Sequence, residues 1–197
     1  MKFEKDNLYH LYNRGNNKQQ IFFKPDNYIY FLHKMRDYLR PNCDILAYCL
    51  MPNHFHFLIN TNAQSILTKT VGSLEKNVLS EGMRILLSSY TQAINKQENR
   101  VGSLFTQNTK CKCLTTSNIQ NDYAFTCFGY THQNPMKAGL VSKMEEWEYS
   151  SFKDYAQFRN GTMCNQELAY ELIGFNKSNF YQESYRTIND NVLKEIW

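Results

Sequence analysis

The chain has 197 residues, 42% of them hydrophobic and 20% charged, with four Pro and eight Gly. This is one domain, or one with an appendage, with enough apolar side chain to bury a core; collagen-like, linker-dominated and small disulfide-framework chains are excluded. Apolar runs are too short to span a bilayer, the charged start Met1–Asp6 lacks the apolar stretch of a secretory signal, and the net charge of +4 permits nucleic-acid binding without demanding it.

Leu8 to Tyr12 is a short apolar and aromatic run ended by the turn-forming Asn13-Arg14-Gly15-Asn16-Asn17, and it reads as a first strand. Pro25-Asp26 opens a helix whose Tyr28, Phe31, Leu32, Met35 and Leu39 share one face, and Pro41-Asn42 stops it. Asp44–Leu50 and His54–Asn60 are two apolar runs joined by Met51-Pro52-Asn53. Pro followed by Asn is turn chemistry, so the pair predicts a β-hairpin. Ser65 to Asn95 reads as a long helical stretch with a break at Gly82, followed by a polar loop over 97–110 and a fourth strand over Cys111–Thr116. Asn118 to Asn134 reads as a helix closed by Pro135 and Gly139, and an aromatic-rich, helical tail follows. The order β, α, β-hairpin, α, β, α predicts an α+β, ferredoxin-like antiparallel sheet with helices packed on one face, plus a C-terminal helical extension. The expected units are residues 1–155 and an extension over 156–197.

The run Pro52-Asn53-His54-Phe55-His56-Phe57-Leu58-Ile59 carries the first chemical signal. Alternate strand residues share a face, so His54 and His56 point one way while Phe55, Phe57 and Ile59 point into the core. Two imidazoles about 7 Å apart by strand rise can converge on one divalent metal; the competing reading is a polar sheet face that carries two histidines. The second signal is Tyr130-Thr131-His132-Gln133-Asn134-Pro135. Tyr130 and Asn134 are one helical turn apart, so a phenol that can act as a nucleophile shares a face with a carboxamide that can ligate a metal. A single Tyr among 14 would ordinarily be packing. Taken together, the two signals describe a metal that polarises a phosphate while a phenolate attacks phosphorus, although no carboxylate adjacent in sequence supplies the proton acceptor.

Pro52-Asn53-His54-Phe55-His56 resembles the histidine–hydrophobic–histidine motif of the HUH nucleases. Tyr130 to Val141 resembles the nucleophile helix of the REP-associated tyrosine transposases, relatives of the single-strand transposases of small insertion sequences. Tyr9 to Gly15, Gly102-Ser103-Leu104-Phe105, and Trp147 with Ser150-Ser151-Phe152 resemble other segments of that family, over roughly residues 7 to 155. The resemblance implies a transposase acting on single-stranded or hairpin DNA with Mg²⁺ or Mn²⁺. It implies His54, His56 and Asn134 as metal ligands and Tyr130 as the nucleophile of a 5′-phosphotyrosine intermediate. Both a homodimer and a monomer fit it.

Among the other residues, His10 reads as a packed or hydrogen-bonded histidine, and His132 points about 160° away from Tyr130 around the helix. Gly129, costly inside a helix, is expected where something approaches the backbone closely. Cys111-Lys112-Cys113 with Cys127 lacks a second cysteine pair for zinc, and the six cysteines read as free thiols of a cytoplasmic protein without membrane contact. Arg14, Asn16 and Lys18 in the first turn, and Lys110 and Lys112 on the fourth strand, are candidate phosphate contacts. Aromatics make up 15% of the chain and suit a base-stacking surface. Two rival functions are a non-catalytic hairpin-DNA binder that retains the fold and a metal-dependent hydrolase of small phosphates.

Overall fold

Apart from one bulge, the strands of the sheet alternate, with one residue set for each face. The computed structural model describes residues 1–115, 120–186 and 188; Thr116, Asn118 and the end of the C-terminal extension lie outside the described residues. Four strands, β1 (Leu8–Arg14), β2 (Asp44–Met51), β3 (His54–Asn60) and β6 (Lys110–Cys113), form an antiparallel sheet in the order β2-β3-β1-β6. Tyr9, Leu11, Phe55, Phe57 and Ile59 point to one face and pack against α1 (Pro25–Tyr38) and α3 (Val78–Gln97). Leu8 and Leu58, on the alternate positions, point to the other face. There they meet α4 (Gln120–Lys137) and the short helices α5 (Phe152–Tyr155), α6 (Gln166–Ile173) and α7 (Phe180–Ser184). Each large side chain withdrawn from water on either face contributes about 1.5–3 kcal/mol.

A bulge between Ile45 and Ala47 shifts the register of β2. One extra residue at that point puts Leu46 and Ala47 both on the α4 face, and the alternation resumes with Tyr48 and Leu50 on the other. The outer edge of β2 is not left bare: the Leu50 N–H donates to Tyr149 O at 2.9 Å, and the Ser151 N–H donates to Tyr48 O at 3.0 Å. The hairpin turn at Pro52-Asn53 is held from outside as well. The Gly15 N–H donates to Asn53 O and the Ile21 N–H to Pro52 O, each at 2.8 Å, so the residue just before His54 has a fixed backbone.

Four sequence expectations are corrected. Helices cover both faces of the sheet, α1 and α3 on one and α4 to α7 on the other, where helices on one face were expected. The stretch from Ser65 to Asn95 is not one broken helix. It comprises a single turn, α2 (Ala63–Ile66), a small hairpin of β4 (Thr68–Val71) and β5 (Leu74–Asn77), and then α3. The β-branched Thr68, Thr70 and Val71 favour the extended form, and the apolar spacing that suggested a helix is shared by a four-residue strand and its turn. Gly82 lies inside an unbroken α3. Its role is close approach, because a Cβ there would stand 2.2 Å from Tyr38 O of α1. Helix α4 does not stop at Asn134 but runs through Pro135 to Lys137. Its end is a Schellman cap, with Leu140 N–H donating to Pro135 O and Gly139 N–H to Met136 O, each at 3.0 Å, and Gly139 at φ +69°. No helix among the described residues is long and apolar enough to cross a membrane.

Candidate active site

The histidines of β3 lie on the α4 face of the sheet, since they alternate with Phe55 and Phe57. Their ring centroids are 4.9 Å apart with the planes at 82°. Each ring is held by its Nδ1. His54 Nδ1 donates to Asn53 Oδ1 at 2.6 Å, using the turn residue whose backbone Gly15 fixes. His56 Nδ1 lies 3.0 Å from Nε2 of His10, with the two rings stacked. Tyr12 is directly opposite His56 in the β1–β3 register, 5.9 Å away between ring centroids. Burial lowers His54, with the Asn134 carboxamide pulling the other way. Burial also lowers His56 well below the ordinary imidazole value, and His10 and His54 add to the effect. Both rings are therefore neutral at physiological pH, the form in which imidazole ligates a metal.

Helix α4 crosses this face and brings the second signal to the first. The Tyr130 ring meets the His56 ring edge-on at 6.1 Å, and the Asn134 carboxamide, one turn on, neighbours both His54 and Tyr130. Burial raises the Tyr130 phenol above its ordinary value, and Asn134 offsets part of the rise. Asn134 is only 6% exposed, and its Nδ2 meets no hydrogen-bond acceptor among the described residues. The two neutral imidazoles, with the amide oxygen that the buried Asn134 side chain carries beside them, make a donor set of two nitrogens and one oxygen that suits a divalent cation. Among the described residues no three His, Cys, Asp or Glu side chains are placed to hold a metal ion between them, and the cysteines form no such group.

These groups line a cleft of about 900 Å³. Of the candidate phosphate contacts, Arg14, Lys18 and Lys110 line it, and no carboxylate does among the described residues. Asn16 and Lys112 are not brought there. Asn16 donates through Nδ2 to Ser103 O at 3.1 Å, and the Lys112 ammonium lies over the Tyr123 ring, 5.6 Å from its centroid. His132 is fully buried on the opposite side of α4, with Nε2 2.8 Å from Ser151 Oγ. Gly129 answers no close approach: a Cβ there would meet Ile188 Cδ1 at 3.4 Å, an ordinary contact.

Sequence reasoning missed five residues in and behind the cleft. Lys137 places its ammonium 5.5 Å from the Tyr130 centroid, two turns further along the same helix face; the i, i+7 spacing was visible, but the expected stop at Asn134 hid it. Tyr12 and His10 lie on the face of β1 that continues the His54 and His56 face of β3, which needed the β1–β3 register to see. Gln107 and Asn108 come from the loop before β6 and carried no sequence signal.

The antiparallel sheet thus carries paired histidines on one face and is crossed there by a helix bearing a tyrosine and a carboxamide. The family described as "Transposase IS200 like" matches residues 5–107, and the chain belongs to that family. The matched segment includes β1 and the histidine hairpin and ends before α4, so Tyr130 and Asn134 stand outside it. The fold is similar to that of a solved structure described as a REP-associated tyrosine transposase bound to a REP hairpin. The TM-score is 0.58 with 15% sequence identity, over 80% of this chain and 83% of the other. A comparison with curated proteins found no match.

Proposed function

We propose that this transposase cleaves and rejoins single-stranded, hairpin-bearing DNA through a covalent 5′-phosphotyrosine at Tyr130. The observation that carries the reading is the meeting of Tyr130, Asn134, His54 and His56 in one cleft walled by Arg14, Lys18 and Lys110. The hairpin bound by the structural relative supports the choice of DNA. His54 and His56 through Nε2 and Asn134 through Oδ1 would hold Mg²⁺ or Mn²⁺, which polarises the scissile phosphate and offsets the charge that develops on it.

In the forward step the Tyr130 phenolic oxygen attacks phosphorus and its proton is lost. The bond from phosphorus to the 3′ oxygen breaks, and that oxygen leaves as a 3′-hydroxyl after taking a proton. One phosphodiester replaces another, so the reverse attack by a 3′-hydroxyl rejoins strands without external energy. Asn134 and His56 fix the phenol beside the phosphate, and the cations neutralise the backbone that enters with it. All of these residues lie within residues 1–155, and the segment that follows covers the far side of α4.

The test is incubation with a hairpin oligonucleotide carrying a single-stranded flank, with Mn²⁺ present. The expected result is a protein–DNA adduct that survives a denaturing gel and is absent with Tyr130→Phe. Hairpin binding that survives chelation with no adduct would favour the non-catalytic binder. Turnover of small phosphate esters indifferent to Tyr130→Phe would favour the hydrolase.

A further inference from the structure

His10 is fully buried on β1, yet its surroundings are not those of a core filler. It sits diagonally across from His56, beside Leu58 in register, with its ring parallel to that of His56 to within 20° and the centroids 5.2 Å apart. Tyr12 stacks on it at 4.9 Å, so the ring is clamped in plane. It lies behind His56 rather than in the cleft, since it does not line the cavity that His54, His56 and Tyr130 share.

Two fully buried imidazoles in contact cannot both be charged, and as neutral rings they carry one N–H each. Between His10 Nε2 and His56 Nδ1, 3.0 Å apart, there is room for one hydrogen. If His10 Nε2 carries it, the hydrogen of His56 sits on Nε2 and blocks a metal. If His56 Nδ1 carries it, His10 accepts through Nε2, its own hydrogen sits on Nδ1, and His56 Nε2 offers a lone pair to the cleft. Each ring keeps one hydrogen in both arrangements, so choosing between them needs no net proton uptake.

We propose that His10 is a positioning residue that accepts from His56 Nδ1 and thereby sets His56 in the one tautomer able to ligate a metal through Nε2. The inference rests on the metal reading of His54, His56 and Asn134. It adds a residue that touches neither metal nor DNA. Partners of this kind behind a ligating histidine typically change metal affinity by about 10–100-fold when removed.

The experiment combines imidazole ¹⁵N NMR with Mn²⁺ titration of the protein without DNA. With Mg²⁺ present, the wild-type spectrum should show His56 and His10 both protonated on Nδ1; His10 protonated on Nε2 overturns the proposal whatever the variants do. His10→Leu fills the space without an acceptor, and it should weaken Mn²⁺ binding about 10–100-fold and remove the fixed Nδ1–H state of His56. His10→Gln, whose Oε1 can accept near the position of Nε2, should restore most of both. A folded His10→Leu protein with wild-type Mn²⁺ affinity refutes the role. His56→Ala separates the two levels: if it abolishes Mn²⁺ binding while His10→Leu does not, only this inference fails, whereas unaltered binding in His56→Ala removes the metal reading itself.

Discussion

His132 offers a quantitative test of how α4 is anchored. It is fully buried on the side of the helix opposite Tyr130, ring edge to Phe128, and bonded to Ser151 Oγ. Ser151 Oγ in turn accepts from the Tyr48 N–H at 3.0 Å, so this one imidazole links α4 to β2. Burial lowers the His132 pKa to about 3. The unfolded chain, with an imidazole near its ordinary value, takes up the proton first. The stability contributed by this group is therefore whole above about pH 6.5 and is lost as pH falls toward 3. Near pH 5, one and a half units below the unfolded value at about 1.4 kcal/mol per unit, the loss is about 2 kcal/mol. His132→Gln can still donate to Ser151 but cannot titrate. Urea unfolding at neutral pH and near pH 5 should show wild type losing about 2 kcal/mol more than the variant, because every other group contributes equally to both proteins and cancels. Equal losses in the two proteins would refute the claim that His132 is held neutral in the native state.

Ala at either His54 or His56 should abolish Mn²⁺-dependent cleavage while DNA binding in a gel-shift assay stays within a few-fold, because the cations of the cleft are untouched. Cleavage should persist undiminished only if the donor set is wrong. Affinity for a hairpin with a single-stranded flank should exceed that for blunt duplex and fall steeply with salt. Ala at Arg14, Lys18 or Lys110 should each reduce the slope of log affinity against log salt by about 0.7–0.9, whereas Lys112→Ala, whose ammonium sits over Tyr123, should change it less. Lys137→Met should slow adduct formation several-fold with unchanged hairpin affinity, and Lys137→Arg should recover most of the rate, since the Lys137 ammonium stands over the Tyr130 ring. Loss of hairpin affinity in step with rate would instead make Lys137 a backbone contact.

Much of this site was legible in one dimension because short-range periodicity built it. His54 and His56 share a face by strand alternation, Tyr130 and Asn134 by one helical turn, and both survive into the structure unchanged in register. What the chain did not reveal was tertiary. Leu67, Val71, Leu74 and Val78 are spaced as a helix stripe, but the hairpin over 68–77 won because its β-branched residues pair across a short turn. Gly82 looked like a helix breaker, and only the approach of Tyr38 O from α1 explains it. Pro135 looked like a terminus, which concealed Lys137. His10 could be placed behind His56 only once Tyr12 was known to face His56 across β1 and β3. The packing of α5, α6 and α7 against α4 depends on contacts far apart in sequence.

The claim that most needs testing is the identity of the nucleophile, since the family match stops at residue 107 and the structure puts a second phenol, Tyr12, near His56. Peptide mapping by mass spectrometry of the adduct formed with Mn²⁺ and a hairpin oligonucleotide addresses it directly. A single nucleotide-bearing peptide modified on Tyr130 is expected, with a Tyr130→Phe protein that binds hairpin and Mn²⁺ normally yet yields none. Modification of Tyr12, Tyr123 or Tyr149, or an adduct that persists in Tyr130→Phe, would contradict it.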